Sequence, residues 1–122
     1  MQLTDLHNED GTNFIRISRE NRGNISLVVL EMLKRVYFEV HGYVQGVGFR
    51  YFTRKKAQEY GVTGWCRNTA DDTVEGEAQG SNDVMQKFFE AIGKGPSHAN
   101  VTKVVKEDRD VVEGEGAFEV RR

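Results

Sequence analysis

The stretch Gly42-Tyr43-Val44-Gln45-Gly46-Val47-Gly48-Phe49-Arg50 holds the residue types that anion chemistry needs. Glycine adopts positive φ without steric cost, and successive residues of alternating hand turn several backbone N–H groups into one concavity that suits an anion. A helix beginning near Phe49 would aim its unsatisfied N–H groups and positive dipole end at the same point. Arg50, in that first turn, adds a planar guanidinium fork matched to two phosphate oxygens. The same glycines would serve a plain strand-to-helix connection equally well, and by themselves they do not separate the two roles.

Such a loop works only if a strand delivers it and a helix receives it. Val36, Phe38 and Val40 alternate with Tyr37, Glu39 and His41, which predicts a half-buried strand ending at Gly42. At helical spacing Phe49, Phe52, Thr53, Ala57 and Tyr60 share one arc, and Gly61 is placed to stop the helix. The runs "VTGWCRNT" and "TVEGEAQG", separated by "ADD", read as a hairpin. Ser81 or Asn82 then caps a second helix, on which Val84, Met85, Phe88, Phe89 and Ile92 share a face before "GKGP" closes it. Lys103 to Lys106 and Ala117 to Val120 add two strands. This order predicts an α+β fold, a ferredoxin-like α/β sandwich in which an antiparallel sheet carries two helices on one face. The fold hosts enzymes, RNA-recognition modules and ligand-binding regulators alike, so function has to come from the site.

Composition narrows the classes. A chain of 122 residues with 38% hydrophobic and 30% charged residues suits one water-soluble domain, and a net charge of -2 gives no reason to expect a nucleic acid as partner. An RNA-recognition module would also stack bases on aromatics of its central strands, and "TVEGEAQG" has none. Cys66 is the one cysteine, which rules out an intrachain disulfide and a CxxC site and suits a reducing cytoplasm. Residues 1–33 are expected to form a flexible N-terminal arm, because their first two-thirds are polar and lack a sustained period, and residues 34–122 form the domain. The apolar run from Ile25 to Val40 is broken by Glu31, Lys34, Arg35 and Glu39, so no membrane span is expected. The default oligomeric state is a monomer.

"GYVQGVGFR" followed by "GVTGWCRN" at residues 61–68 closely resembles the acylphosphatase family, whose glycine-bounded loop is likewise followed by an asparagine-bearing strand. The resemblance covers roughly residues 34–122, with "TVEG", "GPSHANV" and "FEV" in step. It implies hydrolysis of a small-molecule acyl phosphate to a carboxylate and inorganic phosphate, without metal or cofactor. It also implies that the backbone N–H groups of Val44, Gln45, Gly46, Val47, Gly48, Phe49 and Arg50 cradle the phosphoryl group. By the same resemblance Arg50 grips the phosphate and Asn68 orients the attacking water. One departure stands out. The hairpin turn carries Asp71 and Asp72 where the family usually has a glycine, so an altered or strained turn is expected.

The chemistry is consistent with this short set of groups. An acyl phosphate expels a carboxylate whose conjugate acid has a pKa of roughly 4, so the leaving group needs no general acid. Phosphoryl transfer then rests on positioning and on neutralising charge at the equatorial oxygens. Asn68 is no base at neutral pH, but its amide oxygen can accept a hydrogen bond from water. Other polar residues have plainer readings. Cys66 suits a small buried apolar position better than a nucleophile, His41 and His98 lack the spacing of a zinc site, and Trp65 and Arg67 lie on the strand face opposite Asn68.

Overall fold

The computed structural model describes the strands Leu3–His7 and Asn13–Ile17 and the continuous run of residues 32–122. The first two strands, β1 (Leu3–His7) and β2 (Asn13–Ile17), pair antiparallel as a small sheet of their own. Apart from these strands and residues 32–33, the arm expected over residues 1–33 lies outside the described residues.

The domain follows the order β3 (Lys34–Tyr43), α1 (Phe49–Tyr60), β4 (Thr63–Asn68), β5 (Val74–Gly80), α2 (Asn82–Lys94), β6 (Asn100–Arg109) and β7 (Phe118–Arg121). These strands form one five-stranded sheet in the order β6-β3-β5-β4-β7. Pairing is antiparallel except at one edge, where β7 runs parallel to β4 with Gly64 opposite Phe118 and Arg67 opposite Arg121. The ferredoxin-like α+β arrangement is therefore present, with a mixed sheet in place of a wholly antiparallel one. A four-residue strand shows its period in sequence but not its neighbour, and β7 takes the free edge beside β4.

Burial explains the layers. Val36, Phe38 and Val40 of β3, Cys66 of β4 and Val74 and Ala78 of β5 are buried together. Helix α1 covers them with Phe49, Thr53 and Ala57, and α2 with Met85, Phe88 and Ile92. Phe38 meets Phe88 and Phe89 edge-on at centroid separations of 5.9 and 5.8 Å, a preferred aromatic geometry. A fully buried side chain such as Phe38 or Phe88 is worth about 1.5–3 kcal/mol of transfer free energy. Thr53 fits this core because its Oγ1 donates to the Phe49 carbonyl at 2.9 Å, one turn back. Among the described residues no helix is long and apolar enough to cross a membrane.

The face of β3 turned away from the core is polar and tightly paired. Arg35, buried, sends its Nε to Glu77 and its Nη1 to Gln79 at 3.1 Å and Glu115 at 2.9 Å. Burial alone would lower the pKa of this guanidinium, but the carboxylates of Glu115 and Glu77 outweigh it and raise the value. Gln79 exchanges two bonds of 2.8 Å with the Val112 backbone, which ties the segment before β7 to the sheet. Tyr37 donates to Glu75 at 2.9 Å, and burial, reinforced by that bond, pushes its phenol up to about 12.

Candidate functional site

Residues 44–48 connect β3 to α1 at one end of the sheet. Just before it, Gly42, with φ 124°, lies so close to β6 that a Cβ would collide with the Asn100 carbonyl oxygen. Gly46 and Gly48 both sit at φ 75°. Among the described residues the one non-glycine at positive φ is Asp72, so Gln45, Val47 and Phe49 alternate in hand with the two glycines. Alternation of this kind gathers successive N–H groups into an anion-binding nest. Gly48 is also the N-cap of α1, in the left-handed conformation and without a capping side chain, and no acidic residue occupies the helix's first turn. Among the described residues no N–H from Val44 to Arg50 donates to a loop or turn carbonyl. Among the described residues, donors of the nest and of the helix N-terminus are therefore open to an incoming group.

Arg50 reaches from the first turn of α1 to the sheet edge, where its Nη1 donates to the Arg121 carbonyl of β7 at 3.2 Å. Its own carbonyl lies 3.8 Å from the Cys66 sulfur on β4. Asn68 follows two residues along β4, at the strand's last position, on the same face as Cys66. Its Oδ1 is buried and has no hydrogen-bond partner among the described residues. An orphaned buried acceptor is costly, of order 1–3 kcal/mol, and points to a group that arrives from outside. The structure thus brings the loop, Arg50 and the Asn68 strand end to one end of the sheet.

Side chains that were unremarkable in sequence hold the loop to the hairpin. Gln45 Nε2 donates to the carbonyls of both Thr69 and Thr73 at 2.9 Å. Thr69 N–H donates to the Thr73 carbonyl at 2.9 Å, and the two hydroxyls meet at 2.7 Å. Thr73 Oγ1 donates on to Glu39 at 2.9 Å, and Glu39 in turn holds His41 at 3.0 Å. The loop and the strand that carries Asn68 are therefore fastened through Gln45. Its one visible signal in sequence is a long polar side chain in an otherwise apolar and glycine loop. Asp72 takes the turn's left-handed position at φ 65°, and the β4–β5 register stays unbroken from Thr63–Gln79 to Asn68–Val74. The missing turn glycine leaves the hairpin intact.

The remaining candidates separate from the site. Cys66 is fully buried, and burial pushes its thiol up to about 12 despite Arg50 and Arg54 nearby, so it is inert as a nucleophile at neutral pH. Arg67 turns away from the core to Glu75 at 2.7 Å and lies over the Trp65 ring. Among the described residues no three His, Cys, Asp or Glu side chains converge as metal ligands. A groove of about 680 Å³ lies at the other end of the sheet between α2 and β6 and shares none of these residues.

Comparison with known proteins bears on the same span. Residues 36–120 match the family model described as Acylphosphatase. An acylphosphatase of Salinibacter ruber is 44% identical over 89 residues, covering 73% of this chain and 94% of the relative. The solved structure of an acylphosphatase from Coxiella burnetii superposes with a TM-score of 0.69 at 38% identity, covering 75% of this chain and 95% of that one. That of acylphosphatase from Bacillus subtilis gives 0.70 at 35% identity, with 75% and 100% covered.

Proposed function

Because the chain belongs to the acylphosphatase family, enzymes that hydrolyse acyl phosphates, we propose that its glycine loop and Arg50 hold the phosphoryl group while Asn68 orients the water that attacks it. The observation that carries this reading is one of complementary vacancies in hydrogen bonding. Among the described residues, N–H donors of the loop and of the first turn of α1 stand open to an anion, and at the same end of the sheet the buried Asn68 Oδ1 has no partner.

In the reaction the water oxygen forms a bond to phosphorus as the bond from phosphorus to the acyl oxygen breaks. The electron pair leaves with the carboxylate, and the water proton passes to a phosphate oxygen, giving inorganic phosphate. Fixed N–H dipoles and the guanidinium neutralise the charge that spreads over the equatorial oxygens, at no reorganisation cost during the step. Asn68 contributes by holding water in line rather than by taking its proton. The Arg121 carbonyl fixes one guanidinium nitrogen and leaves the rest of the fork for phosphate.

On this reading no metal or cofactor takes part. The enzyme works as a monomer in the cytoplasm on a small molecule, without nucleic acid or membrane, and every residue of the proposed site lies within residues 34–122. Hydrolysis of benzoyl phosphate in saturating chelator tests the chemistry. The rate should equal that in untreated buffer and be inhibited competitively by inorganic phosphate. A chelator-sensitive rate restored by a divalent cation would sink the metal-free mechanism.

A further inference from the structure

A second concavity adjoins the proposed cradle and shares two of its residues. It is a recess of about 470 Å³ lined by Gly42, Tyr43, Val44, Gln45 and Asp72. Val44 is buried and forms part of the core, whereas Tyr43 is 64% exposed, the most exposed large hydrophobic residue among those described. Tyr51, the other exposed tyrosine near the loop, has the Arg54 guanidinium over its ring at 5.3 Å. Among the described residues no cation covers the ring of Tyr43 in that way. Across the recess stands Asp72, exposed at the tip of the β4–β5 hairpin in the left-handed conformation. Gln45, bonded to Thr69 and Thr73, holds the hairpin tip and the loop in fixed relation.

We propose that this recess is the acyl subsite, selecting acyl phosphates whose acyl group is uncharged and preferably aromatic or apolar over those that carry a second anionic group. The proposal rests on the loop being the phosphoryl cradle. A substrate with its phosphorus over the nest can turn its acyl group to the side where the loop's own Tyr43 offers an uncovered aromatic face. Stacking on such a face contributes the modest increment usual for aromatic contacts. A carboxylate on the acyl group would approach Asp72, and two like charges a few ångströms apart repel even in high dielectric. Asp72 thus acts as a rejecting element, which discriminates without improving any contact to the preferred substrate.

The experiment measures kcat/KM for acetyl phosphate, benzoyl phosphate and 4-carboxybenzoyl phosphate on the wild type, Tyr43→Ser and Asp72→Asn. Asparagine also tolerates the left-handed turn position, and a thermal melt of each variant establishes folding. Comparing ratios between enzyme forms cancels the intrinsic reactivities of the substrates. Asp72→Asn should raise the ratio of 4-carboxybenzoyl to benzoyl phosphate by about threefold or more at low ionic strength, and the gain should fade in molar salt. Tyr43→Ser should lower the ratio of benzoyl to acetyl phosphate by about two- to tenfold. Folded variants with both ratios unchanged would overturn the subsite while leaving the phosphoryl chemistry standing. No hydrolysis of any of the three by the wild type would overturn the cradle reading as well.

Discussion

The outer face of β3 and the loop that follows it are built from the same kinds of polar group and spend them in opposite ways. On the outer face the Arg35 guanidinium is divided among Glu77, Gln79 and Glu115, and Gln79 is itself matched to both backbone groups of Val112. At the loop, among the described residues, no N–H from Val44 to Arg50 donates to a loop or turn carbonyl and Asn68 Oδ1 is buried without a partner. One region has its polar demand met internally and contributes to holding the strands together. The other leaves demand unmet where the chain can least easily relax, since Gln45 fastens the loop and β7 fastens Arg50. A polar group's role is better read from whether its bonds are closed than from its type.

Breaking the open region should abolish turnover before it disturbs the fold. Arg50→Lys is expected to lose about 10³-fold in kcat/KM on benzoyl phosphate, because a point ammonium cannot keep the Arg121 carbonyl and two phosphate oxygens together. Inorganic phosphate affinity, measured by calorimetry, should fall with it. Near wild-type kinetics would remove Arg50 from the site. Asn68→Ala should lose roughly 10²-fold in kcat yet bind inorganic phosphate within a few-fold of wild type, since only the water's partner is gone. Equal losses of binding and turnover in a folded variant would make Asn68 a wall of the cradle instead.

Breaking the closed region should do the reverse. Arg35→Met strands the carboxylates of Glu77 and Glu115, whose side chains are only 24% and 17% exposed, and is expected to cost about 3 kcal/mol of stability in denaturant titrations. Its kcat should match the wild type, and a matching collapse in kcat would end the contrast between the two regions. The smallest expected effect is a pH dependence. Tyr37 has its phenol raised to about 12, so its contribution is complete below the unfolded value near 10 and is lost as pH rises toward 12. Tyr37→Phe should therefore show a shallower loss of stability between pH 10 and 12 than the wild type, and an equal slope would detach that loss from this residue.

Much of this was open to reading from residue pattern. The alternation of Val36, Phe38 and Val40, the arc from Phe49 to Tyr60 and the glycines at 46 and 48 each produce a local signal, since the period or the permitted φ belongs to the residues themselves. What escaped depends on partners far along the chain. Nothing in "FEV" says that β7 lies parallel to β4, and nothing in Gln45 says that its amide meets Thr69 and Thr73. The solitude of Asn68 Oδ1 is likewise a property of its surroundings. The exposure of Tyr43 is a property of its surroundings in the same way.

The hydrogen bond from Arg50 to the Arg121 carbonyl joins residues 71 positions apart. During refolding, the nest and the first turn of α1 can form from neighbours in sequence, but this guanidinium cannot be fixed until the strand carrying Arg121 has docked against β4. Closing so long a loop is entropically unfavourable and slow compared with forming a helix or a hairpin. Recovery of catalysis should therefore lag behind recovery of helical circular dichroism, which makes turnover a clock for the last strand's arrival.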